Sequence, residues 1–488
     1  MVIESLKYKI LQQFGFAPTQ EQGQALDTFV SFLTDRDPQA VMILRGSAGT
    51  GKTSLSGAIV RTLLQIRQKV MLLAPTGRAA KVFSLGRGAP AYTIHRRIYR
   101  EKAFAGVDGQ FSLNDNLYTD TLFMVDEASM IANMGLGGTT FGSGCLLDDL
   151  VKFVYQGHND RLLLIGDKAQ LPPVGEEESP ALSASVMEGY GLKVYECDLN
   201  EVLRQSQSSG ILYNATLIRQ MITHDAVTGL PLIRFKGFAD IVMMPGAELV
   251  ASLGDSYHHV GMDETMVITR SNKRANIYNN GIRNMVLDRE EELSSGDMLM
   301  IVKNNYFWTE KEKKESGEGS AGAVPAFLAN GDRAKVLRVS NYIELYGFRF
   351  ATLLLQLPDY DDYEMQVTGM LDTLQSEAPA LTHEQQEELF RQVEEDYQHF
   401  VPLKADRMKS IRQDAYFNAL QIKYAYAVTC HKAQGGQWAH VYVDQGYMTD
   451  DMLTPDYIHW LYTAFTRATD KLFLVNWPKE QTCEPTDL

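Results

Sequence analysis

Paired cysteines and long apolar runs are both missing from this sequence. Its 488 residues include four cysteines, and no two of them are spaced as Cys-x-x-Cys. This spacing suits neither a zinc site nor a disulfide framework, so a reducing cytoplasm is the expected compartment. No apolar run reaches the roughly 18 residues of a membrane span. Because Met1–Lys7 also lacks the features of a secretory signal, we expect no membrane association.

A surplus of positive charge is missing as well. Lysines and arginines number 46 against 61 aspartates and glutamates, which gives a net charge of −15. A nucleic-acid-binding protein needs basic side chains to displace counterions from phosphates, so this charge argues against that class. The acidic segment Glu384–Asp396 offers one answer, because acid concentrated there leaves room for a basic groove elsewhere. The remaining composition, 45% apolar and 22% charged, is typical of a globular protein of about two to four domains.

The glycine-rich stretch Gly46–Thr53 (GSAGTGKT) is the strongest motif present. It follows the apolar run Ala40–Leu44 and precedes a helical pattern over Ser54–Leu64, the order of a phosphate-binding loop. Glycines let backbone N–H groups converge, and the helix start adds a positive dipole end. Lys52 can reach the β- and γ-phosphates, and the Thr53 hydroxyl can hold Mg²⁺. The predicted ATP contacts here are Gly46, Ser47, Ala48, Gly49, Thr50, Gly51, Lys52, Thr53 and Ser54.

Two adjacent carboxylates end a second apolar strand pattern, Thr121–Val125. Downstream of a phosphate loop, Asp126 can hold Mg²⁺ and Glu127 can take a proton from an attacking water. Gln170 lies in Gly166–Gly175, after another predicted strand, where an amide could sense a γ-phosphate or position water. Arg204 is either a charge clamp on the γ-phosphate or an ordinary surface residue.

Gln22 has two interpretations. With Thr19 it forms a capping box at the start of a predicted helix. Alternatively its amide reads the adenine edge through two hydrogen bonds, as amides do. Both can hold if the cap uses the Thr19 hydroxyl and the adenine uses the amide.

A strand pattern over Val70–Ala74 runs into Pro75 and Thr76, at the sheet edge where α/β proteins place ligands. Further on, the segment Tyr92–Arg97 contains His95 and two arginines, which could contact a phosphate backbone. The alternative for this segment is a solvated helix start. Local sequence alone does not separate the two.

A β-hairpin is predicted within residues 100–120, with turn residues between Gly106 and Gly109. Phe104 and Phe111 flank that turn. Each is either a core residue, which local sequence favours, or an exposed wedge.

Short strand patterns after about residue 286 predict a small inserted β-barrel. They are Leu299–Val302, Ala334–Val339 and Arg349–Leu355, and Lys311–Gly322 between the first two predicts a polar loop. A capping box at Thr382 then opens an acidic helix.

Taken together and in this order, these stretches resemble the superfamily 1 DNA helicases, specifically the RecD/Dda-like 5′→3′ branch. Four motifs carry most of the resemblance: VDEASM, GDxxQLPPVG, TxHKxQG and YTAFTRA. The matching segments are Gln22, Gly46–Thr53, Pro75–Lys81, Thr93–His95, Asp126–Met130, Gly166–Gly175, Leu199–Arg204, Val428–Gly435 and Tyr462–Ala468.

The resemblance implies an α/β fold with two RecA-like P-loop NTPase domains in tandem and ATP between them. The first domain is expected over residues 1–198, with a strand-separating hairpin at about 98–118. The second is expected over 199–285 and 420–488, interrupted at 286–419 by an SH3-like barrel and a helical insert.

The resemblance also implies roles for single residues. Lys52, Glu127 and Gln170 would act in hydrolysis, Thr53 and Asp126 would hold Mg²⁺, and Arg204 and Arg467 would be arginine fingers. Gln22 and Gly435 would contact ATP, although Gln437 stands where the family often has Glu. Single-strand contacts are expected from Pro75, Thr76, His95, Phe104, Phe111, Thr429 and His431.

The function expected from this resemblance is DNA-stimulated ATP hydrolysis that drives 5′→3′ movement on single-stranded DNA and unwinding at duplex junctions. A monomer acting in DNA repair or recombination is expected. Two alternatives stay open: an ATPase that remodels protein–nucleic-acid complexes without unwinding, and an RNA-directed superfamily 1 helicase.

Overall fold

The computed structural model describes residues 2–105, 108–135, 142–202, 208–223, 229–316, 324–325, 327–449 and 452–483. It contains two parallel sheets and a closed barrel. The predicted α/β class is therefore confirmed, and so is the presence of a barrel in the second half of the chain.

The first sheet has six parallel strands, and its central strands are buried on both faces. Along Ala40–Gly46, Val41 and Ile43 enter one apolar core, while Met42 and Leu44 enter another. This alternation follows from the strand period of two, and it explains why the strand reads as a continuous apolar run. In spatial order the strands are Ala91–Thr93, Lys69–Ala74, Thr121–Val125, Arg161–Gly166, Ala40–Gly46 and Lys193–Leu199.

Helices cover both faces of this sheet, and an antiparallel hairpin projects from it. The hairpin pairs Tyr99–Ala105 with Asp108–Leu113, as predicted. The helices are Val2–Phe14, Gln20–Thr34, Lys52–Gln65, Gly77–Ser84, Ile94–Ile98, Leu146–Gln156 and Ala184–Gly189.

The second sheet has five parallel strands. In spatial order they are Ile241–Met244, Ala468–Val475, Trp438–Asp444, Thr265–Thr269 and Ala427–Thr429. Its helices are Gly210–Thr223, Leu249–His259, Asn272–Gly281, Ile282–Val286, Cys430–Ala433 and Pro455–Phe465. A separate two-stranded sheet pairs Ile233–Arg234 with Thr482–Cys483.

The barrel closes through five strands: Met298–Ile301, Arg333–Leu345, Phe348–Leu357, Tyr363–Met370 and Leu420–Tyr424. Two helices, His383–Gln398 and Lys404–Arg412, pack on one side of it around Phe350 and Ile411. The Thr382 capping box is confirmed, since Thr382 and Gln385 exchange both hydrogen bonds.

Two expectations for this region are wrong. The insert does not end at residue 419, because Leu420–Tyr424 is the closing strand of the barrel. Lys311–Gly322 is not simply a loop, because its first residues belong to the helix Phe307–Ser316. Glu and Lys are good helix formers, and the buried Trp308 anchors the start of that helix against the Asn418 carbonyl.

The barrel also touches the first domain. The helix Gly77–Ser84 lies against barrel loops, where the Lys81 ammonium donates to the Pro358 carbonyl. A Cβ on Gly77 would lie 2.3 Å from Oδ1 of the buried Asp332, so only glycine fits that approach. The first domain therefore meets the second half of the chain here as well as at the cleft between the sheets.

Asp297 directly precedes the first barrel strand, Met298–Ile301, and its carboxylate has several buried partners. It is fully buried and accepts from Arg283 at 3.0 Å and from Arg289 at 2.6 Å. Tyr426 and the Ser294 N–H also donate to it, both at 2.7 Å. The carboxylate thus joins the second sheet to the first barrel strand.

We predict that Asp297→Ala lowers the free energy of unfolding by about 3–5 kcal/mol, because it leaves the buried Arg283 and the half-buried Arg289 guanidinium groups without their counterion. Asp372→Ala is the control, since Asp372 pairs with Arg349 at the surface, where a pair contributes about 0–1 kcal/mol. Chemical denaturation of both variants measures the difference. Equal losses would contradict the assignment.

Candidate active site

The phosphate-binding loop predicted from the sequence is formed between Ala40–Gly46 and Lys52–Gln65. Gly49 and Gly51 adopt φ values of +77° and +82°, a left-handed conformation that favours glycine. A Cβ on Gly46 would lie 2.9 Å from Thr50 Oγ1, so the curl needs a glycine there too. The Lys52 ammonium lies over the loop and donates to the Ser47 carbonyl at 2.8 Å.

Asp126 and Glu127 lie where Thr121–Val125 ends, at the same sheet edge as the loop. Burial raises the pKa of Asp126 to about 6, and the Glu127 charge acts in the same direction. The positive charges of Arg87 and Lys52 oppose that rise. Glu127 has φ +51°, a conformation that non-glycine residues adopt at strained functional positions.

Gln170 connects Glu127 to the second domain. Its amide is assigned with the nitrogen toward Glu127, because a carboxylate only accepts and a guanidinium only donates. In that orientation Gln170 donates to Glu127 Oε2 at 3.3 Å and accepts from Arg467 at 3.2 Å. The backbone carbonyls of Thr463 and Gly436 fix the Arg467 guanidinium. Three predicted catalytic residues from two domains therefore form one chain of contacts.

Tyr462 belongs to the site, although no role was predicted for it from the sequence motifs. Its hydroxyl accepts from the Ala48 N–H of the phosphate loop at 2.9 Å and donates to Asp167 Oδ2 at 2.6 Å. Burial and the Asp167 charge raise the pKa of Tyr462 well above its ordinary value, so the donor proton is kept. The only sequence signal was its place in the YTAFTRA motif. Domain packing creates the contact.

The segment after Asp167 is bound to the second domain by its backbone. The Leu171 N–H donates to Thr463 Oγ1 at 2.8 Å, and the Leu171 carbonyl accepts from Gln434 at 2.8 Å. Gln170, the residue before Leu171, is therefore held between the two sheets.

Gln22 serves the capping box and the loop at once. Its amide oxygen accepts from the Thr19 N–H at 3.0 Å, and its amide nitrogen donates to the Thr50 carbonyl at 2.9 Å. The expectation that the cap leaves the amide to adenine is thus wrong, because the cap takes the amide oxygen. An adenine contact by Gln22 stays a prediction that requires rearrangement of these bonds.

Gly435 lies apart from the phosphate loop. A Cβ there would lie 3.0 Å from Ala79 Cβ and 3.1 Å from Thr76 Oγ1. Its neighbours thus include Thr76, a residue predicted to contact the single strand. The ATP contact of Gly435 remains untested, and its surroundings do not support it.

The predicted single-strand residues lie on helix starts. Thr76 and Thr93 cap their helices by accepting from the N–H groups of Ala79 and Arg96. Pro75 immediately precedes Thr76, and Thr429 precedes the short helix that carries His431. Burial lowers the pKa of His95 to about 4 and also lowers that of His431. These imidazoles are therefore neutral near pH 7 and would offer hydrogen bonds or stacking rather than charge.

Phe111 is not an exposed wedge. It is half-buried against the first-domain core, and its ring lies 4.7 Å from that of Tyr306. Tyr306 in turn stacks on Phe327 at 4.6 Å. The hairpin is thus fixed to the barrel by three rings. The Phe104 side chain and Arg204 lie outside the described residues.

The donor set fits ATP and Mg²⁺. Lys52 and the loop N–H groups suit phosphates, while the exposed Thr53 hydroxyl and Asp126 are oxygen ligands for a hard cation. Among the described residues no cluster of three or more His, Cys, Asp or Glu could hold a metal ion. Mg²⁺ is usually bound by one or two carboxylates together with phosphates and water.

Two family models match the chain. One, described as an AAA domain, matches residues 17–229, and the other, a UvrD-like helicase C-terminal domain, matches residues 424–475. This pair of models makes the chain similar to the superfamily 1 helicases of the RecD-like type. This family consists of ATP-hydrolysing enzymes, and the two models cover the two halves of the cleft.

Two of the similar proteins match only about a third of this chain. An uncharacterised protein of Methanocaldococcus jannaschii is 33% identical over 32% of this chain and 13% of its own length. The ATP-dependent RecD2 DNA helicase of Deinococcus radiodurans is 30% identical over 32% of this chain and 18% of its own. The chain thus spans a small part of those two relatives. An uncharacterised protein of Acanthamoeba polyphaga mimivirus is 22% identical over 90% of this chain and 96% of its own length.

Solved structures of similar shape include Pif1 helicase from Bacteroides with ADP-AlF3 and single-stranded DNA. It has a TM-score of 0.46 and 13% identity, and the match covers 96% of this chain and 95% of that one. Pif1 from Candida albicans has a TM-score of 0.41 and 16% identity, over 96% and 97%. Scores this low support no argument about the site. No described helix of the present helicase has the length and apolar character to cross a membrane.

We predict that Tyr462→Phe lowers kcat/KM for ATP hydrolysis about tenfold or more. The change leaves the Ala48 N–H and a buried Asp167 oxygen unpaired, and a hydrogen bond to a charged group contributes roughly 1.5–3 kcal/mol. Tyr457→Phe is the matched control, because it lies on the same helix and its hydroxyl bonds Gln445 away from the loop. Steady-state kinetics with KM and kcat resolved separate binding from turnover. Equal effects of the two variants would count against a role for Tyr462 at the loop.

Proposed function

We propose that this helicase hydrolyses ATP under stimulation by DNA, and that hydrolysis drives 5′→3′ movement on single-stranded DNA and unwinding of duplex. The observation that carries the proposal is the contact chain from Glu127 through Gln170 to Arg467 across the cleft. The name of the Deinococcus radiodurans relative, an ATP-dependent DNA helicase, supports it.

In hydrolysis, Glu127 accepts the proton of the attacking water. Gln170 orients Glu127, and Arg467 stabilises the charge that spreads over the transferred phosphoryl group. Mg²⁺ held by Thr53 and Asp126 would neutralise phosphate charge. Lys52 must leave the carbonyls of Gly46 and Ser47 to bind phosphates.

Hydrolysis and strand movement are coupled through the backbone of Leu171. On one side this residue neighbours Gln170, and on the other it bonds Gln434, three residues after His431. A shift of the strand-contacting segment therefore pulls on the residue that orients Glu127. The helix Pro455–Phe465 adds a second connection, since Tyr462 contacts the loop and Thr463 contacts Leu171.

The polarity, the monomeric state and a role in DNA repair or recombination rest on the family resemblance, whereas cytoplasmic action rests on the cysteine spacing. Two alternatives are tested with the main proposal. An RNA-directed helicase would use the same backbone contacts, because discrimination depends on the 2′-hydroxyl. A remodelling ATPase would hydrolyse ATP without separating strands.

The deciding measurement is ATP hydrolysis at low salt with no nucleic acid, single-stranded DNA, single-stranded RNA or duplex. We expect strong stimulation by single-stranded DNA, and a loss of about 10²–10⁴-fold in kcat for Glu127→Gln with nucleotide binding retained, the range for a general base. Lys52→Ala is the control that removes phosphate binding. Stimulation by RNA instead would favour the RNA alternative, and no stimulation at all would overturn the proposal.

For strand separation, we predict that Phe111→Ala lowers the unwinding rate of a 5′-tailed duplex and spares the single-strand-stimulated ATPase. Loss of the ring frees the hairpin from Tyr306, and aromatic pairs contribute about 0.5–1.5 kcal/mol beyond buried area. Phe390→Ala, which removes an aromatic contact within the helical insert, is the control. A parallel loss of ATPase and unwinding would contradict a separating role for the hairpin.

A further inference from the structure

A large cavity lies between the hairpin, the barrel and the two helices of the insert. Its volume is about 1140 Å³, above the roughly 300–1,000 Å³ of small-molecule pockets. His95 and Phe111 line it from the first domain, Tyr306 and Lys314 from the barrel side, and Lys409 from the insert.

The charge of this cavity is opposite to that of the chain. Five of its lining residues are basic and one, Glu310, is acidic, whereas the whole chain has 46 basic and 61 acidic residues. The basic residues are Lys303, Lys311, Lys314, Lys409 and Arg412. Among the described residues no carboxylate forms an ion pair with Lys314 or Lys409. Uncompensated ammonium groups around a concave surface attract a polyanion.

Two residues make the cavity continuous with the groove predicted to hold the single strand. His95 belongs to both. Asn330, another lining residue, accepts a hydrogen bond from Lys432, which follows His431 in the chain. Burial and the Lys423 charge lower the pKa of Lys432 to about 8, so positive charge is crowded at this junction.

The cavity also offers surfaces for bases. Tyr306 and Phe111 line it, beside amide side chains such as Asn304. Cationic side chains that follow a backbone, together with aromatic rings beside them, are the usual features of a single-strand channel.

We propose that this cavity is a second single-strand binding segment, in which the helical insert grips the strand through Lys409 opposite Lys314. The inference deepens the proposed function and rests on it. It also assigns a function to the insert, which would contribute Lys409 to the channel. Its acidic helix His383–Gln398 lies outside the channel except at Gln386 and Leu389. The strand then passes from the cleft groove, past His95, to a position under the hairpin.

The test is equilibrium binding of the full chain to fluorescent single-stranded DNA of about 16 and about 6 nucleotides, the range of site sizes for single-strand grooves. Lys409→Glu should weaken binding of the long oligonucleotide roughly three- to tenfold at low salt. It should also reduce the slope of log K against log salt concentration by about 0.7, the value for one lost phosphate contact. The short oligonucleotide, which fits in the cleft groove alone, should bind as before.

The matched control is Lys404→Glu, an exposed lysine on the same helix that does not line the cavity. Lys314→Glu should reproduce the effect of Lys409→Glu from the opposite wall. If the wild-type protein binds both lengths and Lys409→Glu behaves like Lys404→Glu, the channel is refuted while the proposed function stands. If the wild-type protein binds neither DNA, the proposed function fails and the channel fails with it.

Discussion

The hydrogen bonds at the end of the helix Pro455–Phe465 are the constraint on which the cleft depends. Within six residues, Tyr462, Thr463 and Arg467 reach the phosphate loop, the Leu171 backbone and Gln170. Tyr462, Thr463, Arg467, Gln170 and Leu171 are all buried, so each unpaired donor or acceptor among them would cost free energy. The first sheet and the second can therefore separate only if several of these bonds break together, which makes the closed cleft a discrete state.

Net charge was the main argument against a nucleic-acid enzyme, and the distribution of charge resolves it. The acidic helix His383–Gln398 contributes only the uncharged Gln386 and Leu389 to the cavity, whose charged lining residues are mostly basic. A sum over the chain hides this separation. Because screening confines the influence of exposed charges to about 10 Å at ordinary salt, a polyanion responds to the local groups.

Most of the catalytic site could be predicted because its chemistry depends on short sequence spacings. The loop glycines, Lys52 and Asp126 are specified by consecutive residues. The role of Tyr462 and the aromatic stack of Phe111 could not be predicted, since each needs a partner from another domain. The barrel boundary was misplaced because only two residues, with no turn signal, separate the barrel strand Leu420–Tyr424 from the sheet strand Ala427–Thr429. The Gln22 amide was misjudged because the geometry of the capping box, rather than its residue types, decides which atom is used.

The barrel's contact with Gly77 gives the molecule a mechanical property. One bridge between the domains lies at the nucleotide cleft, and the other joins Asp332 and Pro358 to the helix Gly77–Ser84. The two halves of the chain are therefore connected at two separated contacts, and neither contact can change without affecting the other. Rotation at the cleft must then be matched by sliding at the second bridge, beside the stacked rings of Phe111 and Tyr306. A movement at the phosphates is thus transmitted to the base of the hairpin.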